Sequence, residues 1–111
     1  MDAKKFLEQF GNDLEKMKAQ TGGMVGAFGN LFGKTMSDGV LSVKQKELIA
    51  LGIAVAVQCE PCITLHVKKS LDAGLTKEEM LETCGVAVMM AGGPAYTHVP
   101  MVINAIEQLT N

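Results

Sequence analysis

The sequence is poor in aromatic residues and concentrates no charge of one sign. Among its 111 residues are four Phe, one Tyr and no Trp, and 10 basic against 12 acidic residues leave a formal net charge of -2. The lysines stand singly or in pairs, and no basic patch is visible. A nucleic-acid binder normally presents a basic face, often with aromatic side chains on which bases stack. The composition therefore excludes this class.

The sequence also lacks a recognisable secretory signal and a run of apolar residues long enough to cross a membrane. The N-terminus, MDAKKFLEQF, is charged and amphipathic, without an apolar segment and cleavage site. The longest apolar run is Leu48–Val57, whereas a membrane helix takes about 20 residues. Three cysteines are an odd number and too few for an extracellular disulfide scaffold. We therefore expect a cytoplasmic protein, with no membrane partner, in which a close cysteine pair is catalytic or metal-binding.

Strand patterns are missing as well, and the chain instead shows helical periodicity interrupted by glycines. No run alternates Val, Ile and Thr with polar residues. Ser42 with Gln45 and Thr76 with Glu79 fit capping boxes that open helices. We predict one all-α domain over residues 1–111 with about six helices. They span about Ala3–Gln20, Met24–Thr35, Val43–Gln58, Glu60–Ala73, a segment from the Thr76 cap to Met90, and Ala95–Leu109. In the second helix we expect Phe28, Leu31 and Phe32 to be the apolar anchors.

Several of these helices are apolar on most of their faces. Hydrophobic residues make up 48% of the chain, and Leu48–Val57, Gly85–Gly93 and His98–Ile106 offer few polar positions. A helix that is apolar all round must be covered on every side, which a chain of this length cannot easily achieve. We predict a homo-oligomer, and a compact monomer with a Met-rich core is the alternative.

The stretch QCEPCITLHV, residues 58–67, places two cysteines and a histidine close together. Cys59 lies just before a predicted helix and Cys62 in its first turn, where free N–H groups and the helix dipole lower the pKa of a thiol. A spacing of three brings the two sulfurs within disulfide reach. His66 follows Cys62 by four residues, so it lies on the same helix face and can accept the thiol proton. The pattern indicates a redox pair with an adjacent base.

Two other interpretations of this motif remain open. A zinc site would need a fourth ligand beyond the three motif residues, and Cys84 or His98 could supply it, although neither comes with a second ligand at zinc-knuckle spacing. Alternatively, the cysteines are inert core residues. For Cys84, alone on an apolar helix, the small-hydrophobe interpretation is favoured, and for His98 a structural role is favoured.

The segment Leu41–Ala95 resembles the core of the carboxymuconolactone decarboxylase and alkylhydroperoxidase D superfamily. The helix–CxxCxxxH–helix arrangement carries the resemblance, with the GLTKEEM turn and the GGPA break in support. It implies the alkylhydroperoxidase D-like helical fold and assembly as a homotrimer or homohexamer. In the alkylhydroperoxidase D branch a glutamate twelve residues before the first cysteine joins a proton relay, and here that position is Glu47. From its place in the first turns of a helix alone, Glu47 would be expected to face solvent. The well-known members carry a histidine where this chain has Pro61.

The resemblance implies a CxxC-dependent thiol–disulfide oxidoreductase with peroxidase activity, and the catalytic residues Glu47, Cys59, Cys62 and His66. The substrate would be a peroxide or a disulfide, and a dithiol or protein reductant would restore the thiols. No cofactor and no metal ion is required. The alternative is a proton-transfer enzyme of the carboxymuconolactone decarboxylase type that does not use the cysteines, although the true lactone decarboxylases of this superfamily lack the pair.

Overall fold

A computed structural model describes residues 1–111 and confirms the all-α fold predicted from the sequence. It contains six long helices and one single-turn helix. They are α1 (Ala3–Gln20), α2 (Met24–Met36), α3 (Val43–Ala56), α4 (Glu60–Asp72), α5 (Lys77–Ala91), α6 (Gly93–Tyr96) and α7 (Val99–Thr110). None of these helices is both long and apolar enough to cross a lipid bilayer.

Both predicted capping boxes are present, and they fix the starts of α3 and α5. The Gln45 backbone N–H donates to Ser42 Oγ at 3.1 Å, and the Ser42 backbone N–H donates to Gln45 Oε1 at 2.8 Å. Thr76 and Glu79 repeat this arrangement at the start of α5. Each box satisfies two backbone donors that a helix start would otherwise leave without a partner.

The last two predicted boundaries differ from the structure for backbone reasons. The helix predicted over Ala95–Leu109 is divided into α6 and α7, because Pro100 has no N–H and its ring cannot sit inside a continuous helix. Pro100 instead occupies the first turn of α7. The helix predicted to reach Gln58 ends at Ala56, because Gln58 adopts a left-handed conformation with φ of 59°.

The core lies between α3, α4, α5 and α7. Its largest fully buried side chains come from all four of these helices, and burying a large aliphatic side chain or a methionine among them is worth about 1.5 to 3 kcal/mol. They are Leu51, Val55, Ile63, Val67, Ser70, Met80, Cys84 and Val102. Helices α3 and α4 therefore have fixed positions relative to each other, and these two helices carry the candidate site.

Helices α1 and α2 cover this core only partly. Helix α1 buries just Ala3, whose N–H donates to Gln108 Oε1 of α7 at 2.7 Å, and α2 buries no residue. Phe28 and Leu31, which the sequence pattern marked as anchors of α2, are 65% and 61% exposed. Phe32, the third expected anchor, is half-buried.

The C-terminal end of α2 is held by a lysine of α3. Lys46 Nζ donates to the backbone oxygens of Thr35 and Ser37, both at 2.7 Å. A cation at the end of a helix satisfies free carbonyl groups and interacts favourably with the helix dipole. Helix α2 is thus tied to α3 at one end while much of its apolar surface faces outward.

Candidate active site

The cysteine motif begins at a tightly closed helix end. The Cys59 N–H donates to the Ala54 oxygen at 3.0 Å, and the Gln58 N–H donates to the Val55 oxygen at 3.1 Å. This hydrogen-bond pair is a Schellman motif, in which the residue corresponding to Gln58 must adopt the left-handed conformation. Glycine is usual there, and Gln58 carries a strained φ of 59° instead. The turn sets the direction in which the chain enters α4.

Cys59 and Cys62 occupy the first turn of α4. Cys59 is the N-cap residue, and the Cys62 N–H donates to its sulfur at 3.2 Å. Pro61 lies in the same turn, where its missing N–H leaves no helix hydrogen bond unmade. A sulfur at this position faces free backbone donors and the positive end of the helix dipole, both of which stabilise a thiolate.

The two sulfurs form a disulfide bond in this structure, with the Cα atoms 5.2 Å apart. Both cysteines are half-buried, so burial alone does not distinguish their accessibility. Cys62 also packs against the hydrophobic core. A cysteine pair held at disulfide distance in the first turn of a helix can pass between the dithiol and the disulfide state.

Glu47 and His66 form a hydrogen-bonded pair beneath the surface, between α3 and α4. His66 Nδ1 lies 2.8 Å from Glu47 Oε1, and the side chains are only 17% and 5% exposed. An ionised carboxylate can only accept, so Nδ1 donates the hydrogen and Nε2 is left free to accept a proton. From its helix position alone Glu47 was expected to face solvent, and only the family resemblance selected it.

His66 also contacts an aromatic side chain from α2. The rings of Phe32 and His66 are stacked with centroids 6.1 Å apart and an angle of 26° between their planes. Lys69 Nζ also lies over the Phe32 ring, 4.7 Å from its centroid. The sequence pattern marked Phe32 only as a packing residue, because helical spacing within α2 says nothing about its contact with α4.

An open groove between α2, α3 and α4 leads to the Glu47–His66 pair. Phe32, Val43, Glu47 and Lys69 are among the residues that line it. Neither cysteine is part of this lining. The groove therefore reaches the pair from the Glu47 side rather than from the disulfide side.

The two remaining candidates of the sequence analysis have other surroundings. Cys84 is 1% exposed in the core, and burial raises the pKa of its thiol to about 11. His98 Nδ1 donates to the Pro94 carbonyl oxygen at 2.7 Å, within the connection between α6 and α7. No group of three or more His, Cys, Asp or Glu side chains is arranged to hold a metal ion.

The sequence model of the carboxymuconolactone decarboxylase family matches residues 23–101, which include all four predicted site residues. Two curated relatives are similar to the chain. One is uncharacterized protein 4 in the cox locus of Paracoccus denitrificans, 36% identical over 73 residues and matched over 66% of both chains. The other is an uncharacterized protein of Cupriavidus necator, 34% identical over 61% of this chain and 60% of its own. The match thus spans 66% of the length of the first relative and 60% of the length of the second.

Solved structures match over nearly the whole chain. A carboxymuconolactone decarboxylase family protein of Legionella pneumophila, crystallised in its apo form, superposes with a TM-score of 0.92 at 33% identity over 98% of this chain and 97% of its own. A Thermotoga maritima protein of the family superposes with a TM-score of 0.85 at 26% identity, over 96% of this chain and 90% of its own. The description of the Thermotoga protein suggests involvement in antioxidative response.

Proposed function

Because the chain belongs to the carboxymuconolactone decarboxylase family, we propose that it is a CxxC-dependent thiol–disulfide oxidoreductase that also reduces hydroperoxides. The observation that carries the proposal is the closable cysteine pair in the first turn of α4, on the same helix as a histidine paired with a buried glutamate. The antioxidative role suggested for the Thermotoga protein supports it. The odd number of cysteines supports a reducing cytoplasm as its location.

The peroxide reaction starts from the dithiol. His66 Nε2 accepts the proton of Cys62, one helical turn before it on the same face, while Glu47 stabilises the resulting imidazolium through Nδ1. The Cys62 thiolate attacks the terminal peroxide oxygen, the O–O bond breaks, and the alkoxide leaves as an alcohol with the proton from His66. Cys62 is now a sulfenic acid. Cys59 attacks its sulfur, water leaves, and the Cys59–Cys62 disulfide forms.

A disulfide substrate reacts in the same two steps, except that the first step breaks the substrate's S–S bond. The thiolate attacks one substrate sulfur, forms a mixed disulfide and releases one thiol, after which the second cysteine releases the other thiol. In both cases the pair loses two electrons. An external dithiol or protein reductant, which we expect to react at Cys59, returns both sulfurs to thiols.

The test is a thiol count on the fully reduced protein before and after a small excess of cumene hydroperoxide, with mass spectrometry to locate any disulfide. We expect rapid loss of two thiols as a Cys59–Cys62 bond that a dithiol reverses. Cys59→Ser should stop at a Cys62 sulfenic acid, which a dimedone adduct detects. Persistence of all three thiols with cumene hydroperoxide and with a small disulfide alike would reject the proposal.

Two glutamate variants, compared by their rates of thiol oxidation, test the roles of Glu47 and His66. Glu47→Gln keeps a side chain that can bond His66 Nδ1 but removes the negative charge opposite the forming imidazolium. We expect it to slow thiol oxidation at least about tenfold, within the usual range for an impaired general base. Glu78→Gln, an exposed carboxylate in the first turn of α5, is the matched control and should leave the rate unchanged. Equal rates for the two variants would remove Glu47 from the mechanism.

A second candidate function is favoured by the Glu47–His66 pair itself. A carboxylate and an imidazole held at 2.8 Å can move a proton without help from the cysteines, as a carboxymuconolactone decarboxylase-type reaction requires. The double variant Cys59→Ser, Cys62→Ser separates the two functions. Turnover of a carboxymuconolactone by this variant at the rate of the unmodified protein would favour proton transfer, and its absence in both proteins would exclude that reaction.

We also propose that the chain works as a homotrimer or homohexamer. Its accessible surface is 6810 Å², whereas a monomer of 11.8 kDa is expected to expose about 5,900 Å². Part of the excess is an apolar groove between α3 and α5, where Ile53, Val86 and Met90 are 57%, 59% and 75% exposed. Large apolar patches of this kind mark association surfaces.

A further inference from the structure

Helix α2 meets the histidine of the candidate site through Phe32, whereas Phe28 and Leu31 on the same helix face outward. Phe28 and Leu31 are largely exposed, whereas Phe32 is half-buried against His66. If α2 served only to cover the surface, none of its apolar side chains would need to contact His66. The contact therefore links the orientation of His66 to an element outside the CxxCxxxH motif.

We propose that Phe32 is a positioning residue, which holds the His66 imidazole in the orientation that proton transfer needs. This inference rests on the proposed function, because it assigns Phe32 to the same relay. The centroid distance of 6.1 Å and the small interplanar angle fall within the range of offset-stacked rings. Glu47 fixes one edge of the imidazole through Nδ1, and Phe32 covers one face. Together they restrict rotation of the ring and direct Nε2 away from Glu47.

Lys69 also contacts the Phe32 ring and helps to hold it in this position. Its Nζ lies 4.7 Å from the centroid of the Phe32 ring, within the distance at which a cation is attracted to an aromatic face. Lys69 follows His66 by three residues on α4, so both residues that contact Phe32 come from one rigid helix. The Phe32 ring is thus bound to α4 rather than free to move with α2, which itself buries no residue in the core.

This arrangement lets Phe32 hold His66 in place even though the rest of α2 is only loosely attached to the core. A displacement of about 1 Å in a positioned group can cost as much as a hundredfold in rate. Phe32 is where α2 meets the relay, and Lys46 fastens the end of α2 one turn further on. Loss of the ring should therefore loosen His66 without unfolding the α3–α4 pair that carries Glu47 and the cysteines.

Phe32→Leu is the decisive variant, because it keeps an apolar side chain but removes the ring. Phe28→Leu makes the same change one turn earlier on the same helix, at a side chain that is 65% exposed, and is the matched control. Phe32→Tyr restores the ring and tests rescue. The first measurement is the rate at which reduced protein loses two thiols to cumene hydroperoxide. The second is the ¹⁵N NMR signature of the His66 tautomer, with His98→Gln to assign the two histidines.

We expect Phe32→Leu to slow thiol loss at least about tenfold, and Phe28→Leu and Phe32→Tyr to remain within about twofold of the unmodified protein. The Nδ1-protonated signature of His66 should become a mixture of tautomers in Phe32→Leu alone. Unchanged rate and unchanged tautomer in Phe32→Leu would overturn the inference. If circular dichroism shows that this variant loses helix, Lys69→Met, which removes only the cation above the ring, replaces it with the same expected direction.

The two proposals fail in different ways. If the unmodified protein loses no thiols to peroxide or disulfide, the proposed function fails, and the tautomer comparison still decides whether Phe32 positions His66. If Glu47→Gln slows the reaction but Phe32→Leu changes neither the rate nor the tautomer, the relay stands and Phe32 has no part in it.

Discussion

At the residue scale, the three cysteines differ in chemistry because their surroundings differ. Cys59 and Cys62 are half-buried in the first turn of a helix, where backbone donors can stabilise negative charge. Cys84 is 1% exposed among apolar side chains, and this burial raises the pKa of its thiol from 9.0 to about 11. The sequence predicted the burial of Cys84 correctly, since a lone cysteine on an apolar helix usually serves as a small hydrophobic residue.

Native, fully reduced protein should therefore show two accessible thiols rather than three. At pH 8 a thiol with a pKa of about 11 is ionised to roughly one part in a thousand, and its reagent must also enter the core. We expect a chromogenic disulfide reagent to modify Cys59 and Cys62 within minutes and Cys84 only after denaturant is added. The Cys84→Ala protein should give the same native count and no further thiol on unfolding. A third fast thiol in the native protein would mean that the core opens at α5.

Burial of Cys84 also predicts a loss of stability at alkaline pH. Because its folded pKa is raised above the unfolded value of 9.0, the neutral thiol favours the folded state; this contribution is complete below pH 9 and is lost as the pH rises towards 11. At pH 10.5 the loss should be about 2 kcal/mol. Urea unfolding at pH 7 and pH 10.5, with Cys84→Ala for comparison, measures it. An equal change in both proteins would assign the alkaline loss to other groups.

At the scale of the helices, the sequence predicted starts better than ends. The starts of α3 and α5 depend on capping boxes whose members lie within four consecutive residues. These helix starts can therefore be predicted directly from the sequence. The end of α3 depends on Gln58 adopting the left-handed conformation, which glycine usually adopts at this position. No local sequence pattern predicts this conformation for Gln58. The break between α6 and α7 was readable from Pro100, a residue that the predicted helix over Ala95–Leu109 should not have contained.

Gln58→Gly should stabilise the protein relative to Gln58→Ala. Both variants remove the same side chain functions, but alanine keeps the left-handed strain of a residue with φ of 59°, whereas glycine does not. We expect a difference of about 1 kcal/mol in the free energy of unfolding, measured in urea with the disulfide intact. If alanine equals or exceeds glycine in stability, the turn before Cys59 stores no strain.

Helix α2 shows why an apolar stripe is harder to interpret than a cap. Its spacing correctly predicted a helix, but it could not say that Phe32 meets His66 while Phe28 and Leu31 face outward. Periodicity identifies the residues that share a face, and the partner of that face comes from tertiary packing. The same limit applies to Glu47, whose burial beside His66 depends on how α3 packs on α4.

At the scale of the whole molecule, the high apolar content leaves much apolar surface uncovered. Hydrophobic residues make up 48% of the sequence, yet only 17 of 111 residues are buried. The exposed large apolar side chains of α3 and α5 cluster around one groove rather than scattering over the surface. Isolated exposed apolar residues need no explanation, whereas a contiguous set on two packed helices favours contact with another copy.

Ile53→Lys places a charge in the middle of this groove and should dissociate the proposed assembly. Desolvating an unpaired ammonium group in an apolar interface costs several kcal/mol, enough to shift an association constant by a hundredfold or more, to order of magnitude. Because Ile53 is 57% exposed, the fold of a single chain should survive, which circular dichroism checks.

Sedimentation velocity compares Ile53→Lys with Gln20→Lys, the same charge added at an exposed position on α1. The unmodified protein and Gln20→Lys should sediment as three or six times 11.8 kDa, and Ile53→Lys as a single chain. If the unmodified protein already sediments as a single chain at micromolar concentration, the assembly does not form and the Met-rich monomer of the sequence analysis is correct. If Ile53→Lys remains associated, the copies meet elsewhere, and the exposed α2 face at Phe28 and Leu31 is the next surface to charge.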